Sequence, residues 1–287
     1  MDPLEDSRRN STGKLYVVGT PIGNLEDITL RAIRTLKEVD LIACEDTRRT
    51  QKLLNHYEIR TPTISYHEHN EMTRAPELII RMEEGNNIAL VTDAGMPVVS
   101  DPGFRLVHLA VRHNIPVVPV PGASAFVAAL AASGMPVDRF RFLGFLPSKR
   151  AARRKALEEQ RTAPKTLVFY EAPHRVVEML ADVRDSLGDR EIVIAREVTK
   201  LHEEFLRGTI SSVLARAKGK TIKGEITILV GPATEPTAPS VETKIGPEIE
   251  KVMAERGLDK RAALKSVAKA RGITRSEAYR LLQLEKP

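Results

Sequence analysis

The 287-residue chain contains one cysteine and no tryptophan, and aromatic residues make up only 4% of it. A lone thiol, Cys44, permits no disulfide within the chain, so a reducing, cytoplasmic setting is expected. Cys44 itself reads as a small buried residue at the end of the run Asp40-Leu-Ile-Ala-Cys44. So few aromatic side chains argue against recognition of single strands by rows of stacked bases. No apolar run approaches the roughly 20 residues of a membrane helix, so no membrane partner is expected. Residues 1–13 are polar, lack the apolar core of a signal peptide and read as a disordered lead-in.

Several catalytic signatures are missing as well. There is no Gly-x4-Gly-Lys-Ser/Thr loop, and the first glycine loop, Gly19-x-x-x-Gly23 with Pro21 inside, lacks the Gly-x-Gly-x-x-Gly spacing of a dinucleotide site. Triphosphate and nicotinamide chemistry are thereby disfavoured. No Cys/His cluster has zinc spacing, His67-x-His69 stands without a ligand set, and no metal is expected. A Gly-x-Ser-x-Gly elbow is also absent, which leaves acid–base work to scattered carboxylates.

What the chain does have is a repeated strand–loop–helix grammar. Ile88–Val91 is a short apolar run that breaks into Thr92, Asp93, Gly95, Pro97, Ser100, Asp101, Pro102 and Gly103 before apolar spacing resumes at Phe104. Tyr16-Val-Val-Gly-Thr-Pro-Ile-Gly-Asn24 and Val117-Val-Pro-Val-Pro-Gly-Ala-Ser-Ala125 follow the same grammar, and three such loops suggest one shared pocket. The loops are rich in backbone amides and carbonyls and poor in charge. That suits a ligand with amide, hydroxyl and adenine edges better than a triphosphate.

The alternation predicts strands at 15–18, 41–43, 63–66 and 88–91, with helices over 25–36, through Leu53-Leu54, and over 75–82 and 104–111. Asp27 or Thr29 can cap the first of these helices. A mainly parallel sheet is expected from this half. After a small-residue helix at 126–132, strands near 140–146, 166–170, 191–196, 205–209 and 225–230 predict a second, more antiparallel sheet, with helices after Pro147 and over 176–187. The domain boundaries that follow are 1–13 for the lead-in, 14–124 and 125–232 for two α/β domains, 233–243 for a Pro/Thr linker and 244–287 for a helical tail.

Charge is unevenly placed. The chain carries a formal net charge of +6, and from Lys244 to Pro287 six Lys and five Arg face five Glu and one Asp, a surplus of five. The other 243 residues therefore carry one. Helices expected at 247–255, 259–270 and 275–284, with Gly272 at the second turn, have a helix-turn-helix-like spacing. Lys260, Arg261, Lys265, Arg271 and Arg275 are candidate phosphate contacts there. Lys149, Arg150, Arg153 and Arg154 form a second basic run. For either run a solvated helix face is the plain alternative, and for the tail a dimer contact is another.

Val18-Gly-Thr-Pro-Ile-Gly-Asn24, Thr92-Asp-Ala-Gly-Met-Pro97, Val120-Pro-Gly-Ala-Ser-Ala125, Phe169-Tyr-Glu-Ala-Pro-His-Arg175 and Gly224-Glu-Ile-Thr-Ile-Leu-Val230 occur in this order. In that arrangement the chain resembles the tetrapyrrole methylase family from about Lys14 to Pro232. The resemblance implies two α/β domains with S-adenosylmethionine in the cleft between them, and a homodimer. Cys44-Glu-Asp-Thr-Arg48 and Tyr170-Glu-Ala-Pro-His-Arg175 are most similar to the branch that methylates a cytidine ribose 2′-hydroxyl in 16S rRNA of the 30S subunit. Thr20 and Ile22 in the first loop, and Asp93-Ala-Gly-Met-Pro97 in place of Gly-Asp-Pro, depart from the porphyrin branches and argue against a tetrapyrrole substrate.

Carried onto this sequence, the resemblance places Pro21, Asp93, Gly95, Pro97 and Ser124 around the cofactor, with Tyr170, Glu171 and Ala172 contributing from the second domain. A ribose hydroxyl is a weak nucleophile, so a base is called for as the new bond forms. Glu171, Glu197 and Glu225 are the candidates, with Asp93 a fourth. Two other functions stay open at this stage: a small-molecule tetrapyrrole methylase, and a non-catalytic RNA-binding assembly factor.

Overall fold

The computed structural model describes residues 12–217, 222–233, 245–271, 273, 278–279 and 281–282. Residues 1–233 and 234–287 form two separate units. The expected lead-in lies almost wholly outside the described residues, as do nearly all of the linker and Arg275.

The first sheet is built from β1 (Leu15–Val18), β2 (Leu41–Cys44), β3 (Thr63–Ser65), β4 (Ile88–Val91) and β5 (Val117–Val120). Its order is β3-β2-β4-β1-β5, and every pairing is parallel. Strands covered on both faces read as continuous apolar runs, and β2 and β4 are buried at all four positions. Alternate side chains serve opposite faces. Leu41, Ala43, Ile88 and Leu90 pack with Leu78, Met82, Leu106 and Ala110 from α3 (Glu71–Glu83) and α4 (Phe104–Arg112). Ile42, Cys44, Ala89 and Val91 pack with Ala32, Leu36, Leu53 and Leu54 from α1 (Leu30–Glu38) and α2 (Thr47–His56).

The helix expected from residue 25 divides in two. Leu25–Asp27 is a single 3-10 turn capped by Asn24, Ile28 is extended, and α1 starts at Leu30. The Thr29 hydroxyl caps it by accepting the Ala32 N–H at 3.0 Å. α3 begins four residues before the expected start, with Pro76 inside its second turn.

The second sheet joins β6 (Phe140–Phe145), β7 (Thr166–Glu171), β8 (Glu191–Arg196), β9 (Glu204–Thr209) and β10 (Ile226–Val230) in the order β6-β7-β10-β8-β9. Only β6 and β7 run parallel; the other three pairings are antiparallel. α5 (Ala125–Ser133) packs on one face through Ala129 and Leu130. The opposite face carries α6 (Arg150–Glu158), α7 (Val176–Leu187) and α8 (Ile210–Ala217) around Leu157, Leu180, Val183 and Val213. The α8 helix has no counterpart in the sequence reading, because two turns directly after a strand give too short a periodic signal.

The second unit is described over α9 (Ile245–Arg256), α10 (Lys260–Ala270) and the helical residues 278–279 and 281–282. Ile245, Ile249, Leu264, Val267 and Ala278 share its small core, and Asp259 caps α10 by accepting the Ala262 N–H at 2.7 Å. No helix among the described residues is long and apolar enough to cross a membrane.

Candidate active site

β4, β1 and β5 are neighbours, so the loops that leave their carboxyl ends arrive together. Their approach is close enough to demand glycine. A β-carbon on Gly19 would fall 2.8 Å from the backbone nitrogen of Gly122, and one on Gly122 would fall 2.9 Å from the Gly19 backbone. Thr20 and Gly95 exchange backbone hydrogen bonds of 2.9 and 3.2 Å, which ties the first loop to the second. The second loop also holds Val98 at φ +76° and Ser100 at φ +68°, left-handed conformations that non-glycine residues adopt at a cost.

These loops, the end of β7 and the start of β10 enclose a cleft of about 340 Å³. Ile22, Ala94, Met96, Ala125, Phe145 and Ile226 supply apolar wall. Among the described residues, the charged side chains in the lining are Asp101, Glu171 and Glu225, and neither lysine nor arginine contributes. Gly95, Ser124, Tyr170, Glu171 and Ala172, expected around the cofactor from the sequence, all line it.

Tyr170 is anchored at both ends of its ring. Its hydroxyl accepts the Phe126 N–H at 3.3 Å, and the ring meets Phe142 edge-on with centroids 5.0 Å apart. Burial raises its phenol above the ordinary value, with Asp101 and Glu225 adding to the effect. Glu171 is wholly buried at the side chain, where Oε1 accepts the Ala172 N–H at 2.9 Å and lies 3.4 Å from Arg175 Nε. Its Oε2 is buried with no partner, an acceptor left for whatever fills the cleft.

Asp101 was not among the expected site residues. Burial pushes its carboxyl up to about 6; the Thr92 hydroxyl beside it, which donates to Glu45 Oε2 at 3.1 Å, opposes the rise, and the negative charges of Glu45 and Asp93 add to it. The signal in the sequence was only its place between Ser100 and Pro102 in a loop already marked as part of a pocket.

A second cleft of about 290 Å³ is bounded by Pro21, Asp93, Arg49, Lys52 and Lys200, and it shares Ile22, Ala94 and Glu225 with the first. Asp93 reaches across to the start of α2, accepting the Asp46 N–H at 3.1 Å and pairing with Arg49 at 3.1 Å. Pro97 is buried and lines neither cleft. Glu197 also lines neither; it accepts from Lys200 Nζ and from the Glu225 N–H, both at 2.9 Å. That contact with Lys200 holds its carboxyl below the ordinary range. Gly224 makes the arrangement possible, since a β-carbon there would sit 2.4 Å from Glu197 Oε1. Glu225 is 69% exposed at the side chain and 3.3 Å from Lys200 Nζ.

The two basic runs fare differently. Arg153 was expected to face RNA, but it is fully buried, with its guanidinium against Asp182 at 2.7 Å and Glu178 at 2.6 Å. Burial withdraws it from any phosphate. Arg150 shares Asp182 at 2.9 Å, and Arg154 lies 3.8 Å from Asp185. Lys149 is exposed. In the second unit Lys260, Arg261 and Lys265 are exposed, whereas Arg271 is mostly buried and pairs with Glu248 at 2.6 Å.

Residues 14–214 match the model of the Tetrapyrrole (Corrin/Porphyrin) Methylases. The chain belongs to the tetrapyrrole methylase family. Among relatives of this methylase, a "Ribosomal RNA small subunit methyltransferase I" from Halalkalibacterium halodurans is 48% identical over 281 residues, covering 97% of each chain. A protein of the same name from Thermotoga maritima is 50% identical over 218 residues, covering 76% of this methylase and 98% of that one. The solved structure of cobalt precorrin-4 methyltransferase, a cobalamin biosynthetic enzyme, shares the fold with a TM-score of 0.57 at 19% identity, over 78% of this chain and 96% of that one.

Proposed function

We propose that the enzyme transfers a methyl group from S-adenosylmethionine to the ribose 2′-hydroxyl of a cytidine in 16S rRNA of the small ribosomal subunit. The proposal includes a cytoplasmic setting and a homodimer. One observation carries the cofactor. Among the described residues the larger cleft combines apolar walls with three carboxylates and no cation, which favours a sulfonium- and ammonium-bearing ligand over a phosphorylated one. When bound, that ligand supplies an electrophilic methyl group.

Gly95 and Ala172 would offer backbone, Ser124 and Tyr170 hydroxyls, and the free Glu171 Oε2 an acceptor for a ligand N–H or O–H. Pro21 and Asp93 would act from the adjoining cleft. Holding the acceptor in line behind the methyl group is the larger part of such a reaction, and apolar walls that exclude water keep the orientation. The ribosomal acceptor rests on the names of relatives that match nearly the whole chain. Exposed Lys260, Arg261 and Lys265 provide phosphate contacts on the tail.

Transfer of tritium from labelled S-adenosylmethionine to unmodified 30S particles, followed by nuclease digestion, tests the reading. Recovery of labelled 2′-O-methylcytidine is expected. Label in a base, or no label in RNA despite measurable cofactor binding, would overturn it.

A further inference from the structure

We infer that Asp101 is the general base that takes the ribose 2′-hydroxyl proton during methyl transfer. The inference rests on the function proposed above. In the step, the hydroxyl O–H bond breaks and its proton passes to the Asp101 carboxylate. The oxygen forms the new O–CH3 bond while the S–CH3 bond breaks. The sulfur keeps that electron pair, leaving a neutral thioether and a neutral carboxyl group.

The carboxylates around the site differ in their partners. Glu225 stands against Lys200, and Glu197 is held by both Lys200 and the Glu225 N–H. Asp93 is paired with Arg49, and Glu171 lies beside Arg175 with its side chain fully buried. Asp101 lines the larger cleft, and no ion pair reaches it among the described residues. A carboxylate already compensated by a cation is a weaker proton acceptor; one without such a partner is a stronger one.

Its surroundings sharpen this. From the loop after β4 come the Thr92 hydroxyl and Asp93, from just after β2 comes Glu45, and from β7 comes the Tyr170 phenol. None of these groups is cationic. Burial, helped by the charges of Glu45 and Asp93 and opposed by the Thr92 hydroxyl, raises the carboxyl to about 6, so it is ionised at neutral pH yet more basic than an ordinary aspartate. The loop that carries it is held in strained conformations at Val98 and Ser100, a form of positioning typical of functional sites.

The test is single-turnover methylation of 30S particles at saturating S-adenosylmethionine from pH 5 to 9, with wild type, Asp101→Asn and Thr92→Val. The wild-type rate should rise with pH to an inflection at or below about 6 and level off, because only the ionised base accepts the proton and a sulfonium in the same cleft favours that form. At saturating S-adenosylmethionine, Asp101→Asn should lose a factor of about 10²–10⁴ and the inflection with it. Thr92→Val should move the inflection upward, since the hydroxyl favours the charged form. In the cofactor-free wild type, ¹³C NMR should show an aspartate carboxyl titrating near 6 that is absent from Asp101→Asn. A wild type that methylates 30S while Asp101→Asn stays within about tenfold would overturn this role alone. A titration in the ordinary aspartate range would do the same. No transfer by the wild type would overturn the function and this role with it.

Discussion

Two short basic runs look alike in the sequence and do different work in the fold. Lys149 to Lys155 and Lys260 to Arg271 both open a helix, and each places several cations within three turns. In α6 the central guanidinium, Arg153, points inward and is held by Asp182 and Glu178 from α7; Arg150 and Arg154 lean on the same helix. In α10, Arg261, Lys265 and Lys269 recur every four residues on the exposed side, while Ala263, Leu264, Val267 and Ala268 face the small core. The difference lies in what the neighbouring helix offers. α7 presents three acidic residues at Glu178, Asp182 and Asp185, and they convert a surface-like charge pattern into a buried clamp.

Three measurements can break or sharpen that contrast. The largest effect is expected from Asp182→Ala, which leaves buried Arg153 short of one partner. Removal of one member of such a buried pair costs about 3–5 kcal/mol, so the urea midpoint should fall sharply. RNA affinity per folded molecule and its salt dependence should stay as they are; a changed salt slope would break the contrast. Next comes the triple change of Lys260, Arg261 and Lys265 to alanine. The slope of log affinity for ribosomal RNA against log salt should become shallower by about 2–3, since each neutralised phosphate contributes about 0.7–0.9. Stability should move by no more than about 0.5 kcal/mol per position, as for ordinary surface changes. An unchanged slope would mean that α10 is not the phosphate-binding face. The smallest effect is expected from Arg154→Ala. Its 3.8 Å pair with Asp185 is half exposed on both sides, and denaturation should register a loss of about 0–1 kcal/mol.

Most of the framework could be read in advance because it depends on local patterns. The all-apolar β2 and β4 runs announced a sheet covered on both faces, and the strand–loop–helix repeats announced parallel order. The three repeated strand–loop–helix segments made the shared pocket legible too, and the structure brings Gly19 and Gly122 into near contact behind it. The start of α1 was missed by five residues because Leu25–Asp27 has helical composition but closes only one tight turn. α8 was missed because its two turns follow β9 without a break.

Side-chain partners were less legible than elements, and this limits any site reading taken from a sequence. Asp93 and Pro97 sit in the same loop as Gly95, yet only Gly95 faces the larger cleft. Asp93 turns to Asp46 and Arg49, some forty-five residues earlier in the chain. Arg153 could not be told from Arg154 by composition, although one is fully buried and the other half exposed. Asp101 could be placed in a pocket loop but not singled out, because nothing in Ser100-Asp-Pro-Gly103 reveals that the carboxyl will be desolvated beside two other acids.

The sequence by itself determined which segments are strands and helices, which faces are apolar and where the chain must turn, because burial periodicity and glycine or proline geometry are written residue by residue; which strands pair came with the fold. Only the tertiary structure decided which carboxylates meet a cation and which stand alone. Charge compensation depends on distances between residues far apart in the chain. A shift from an ordinary aspartate to one poised near neutrality is a matter of a few ångströms of burial.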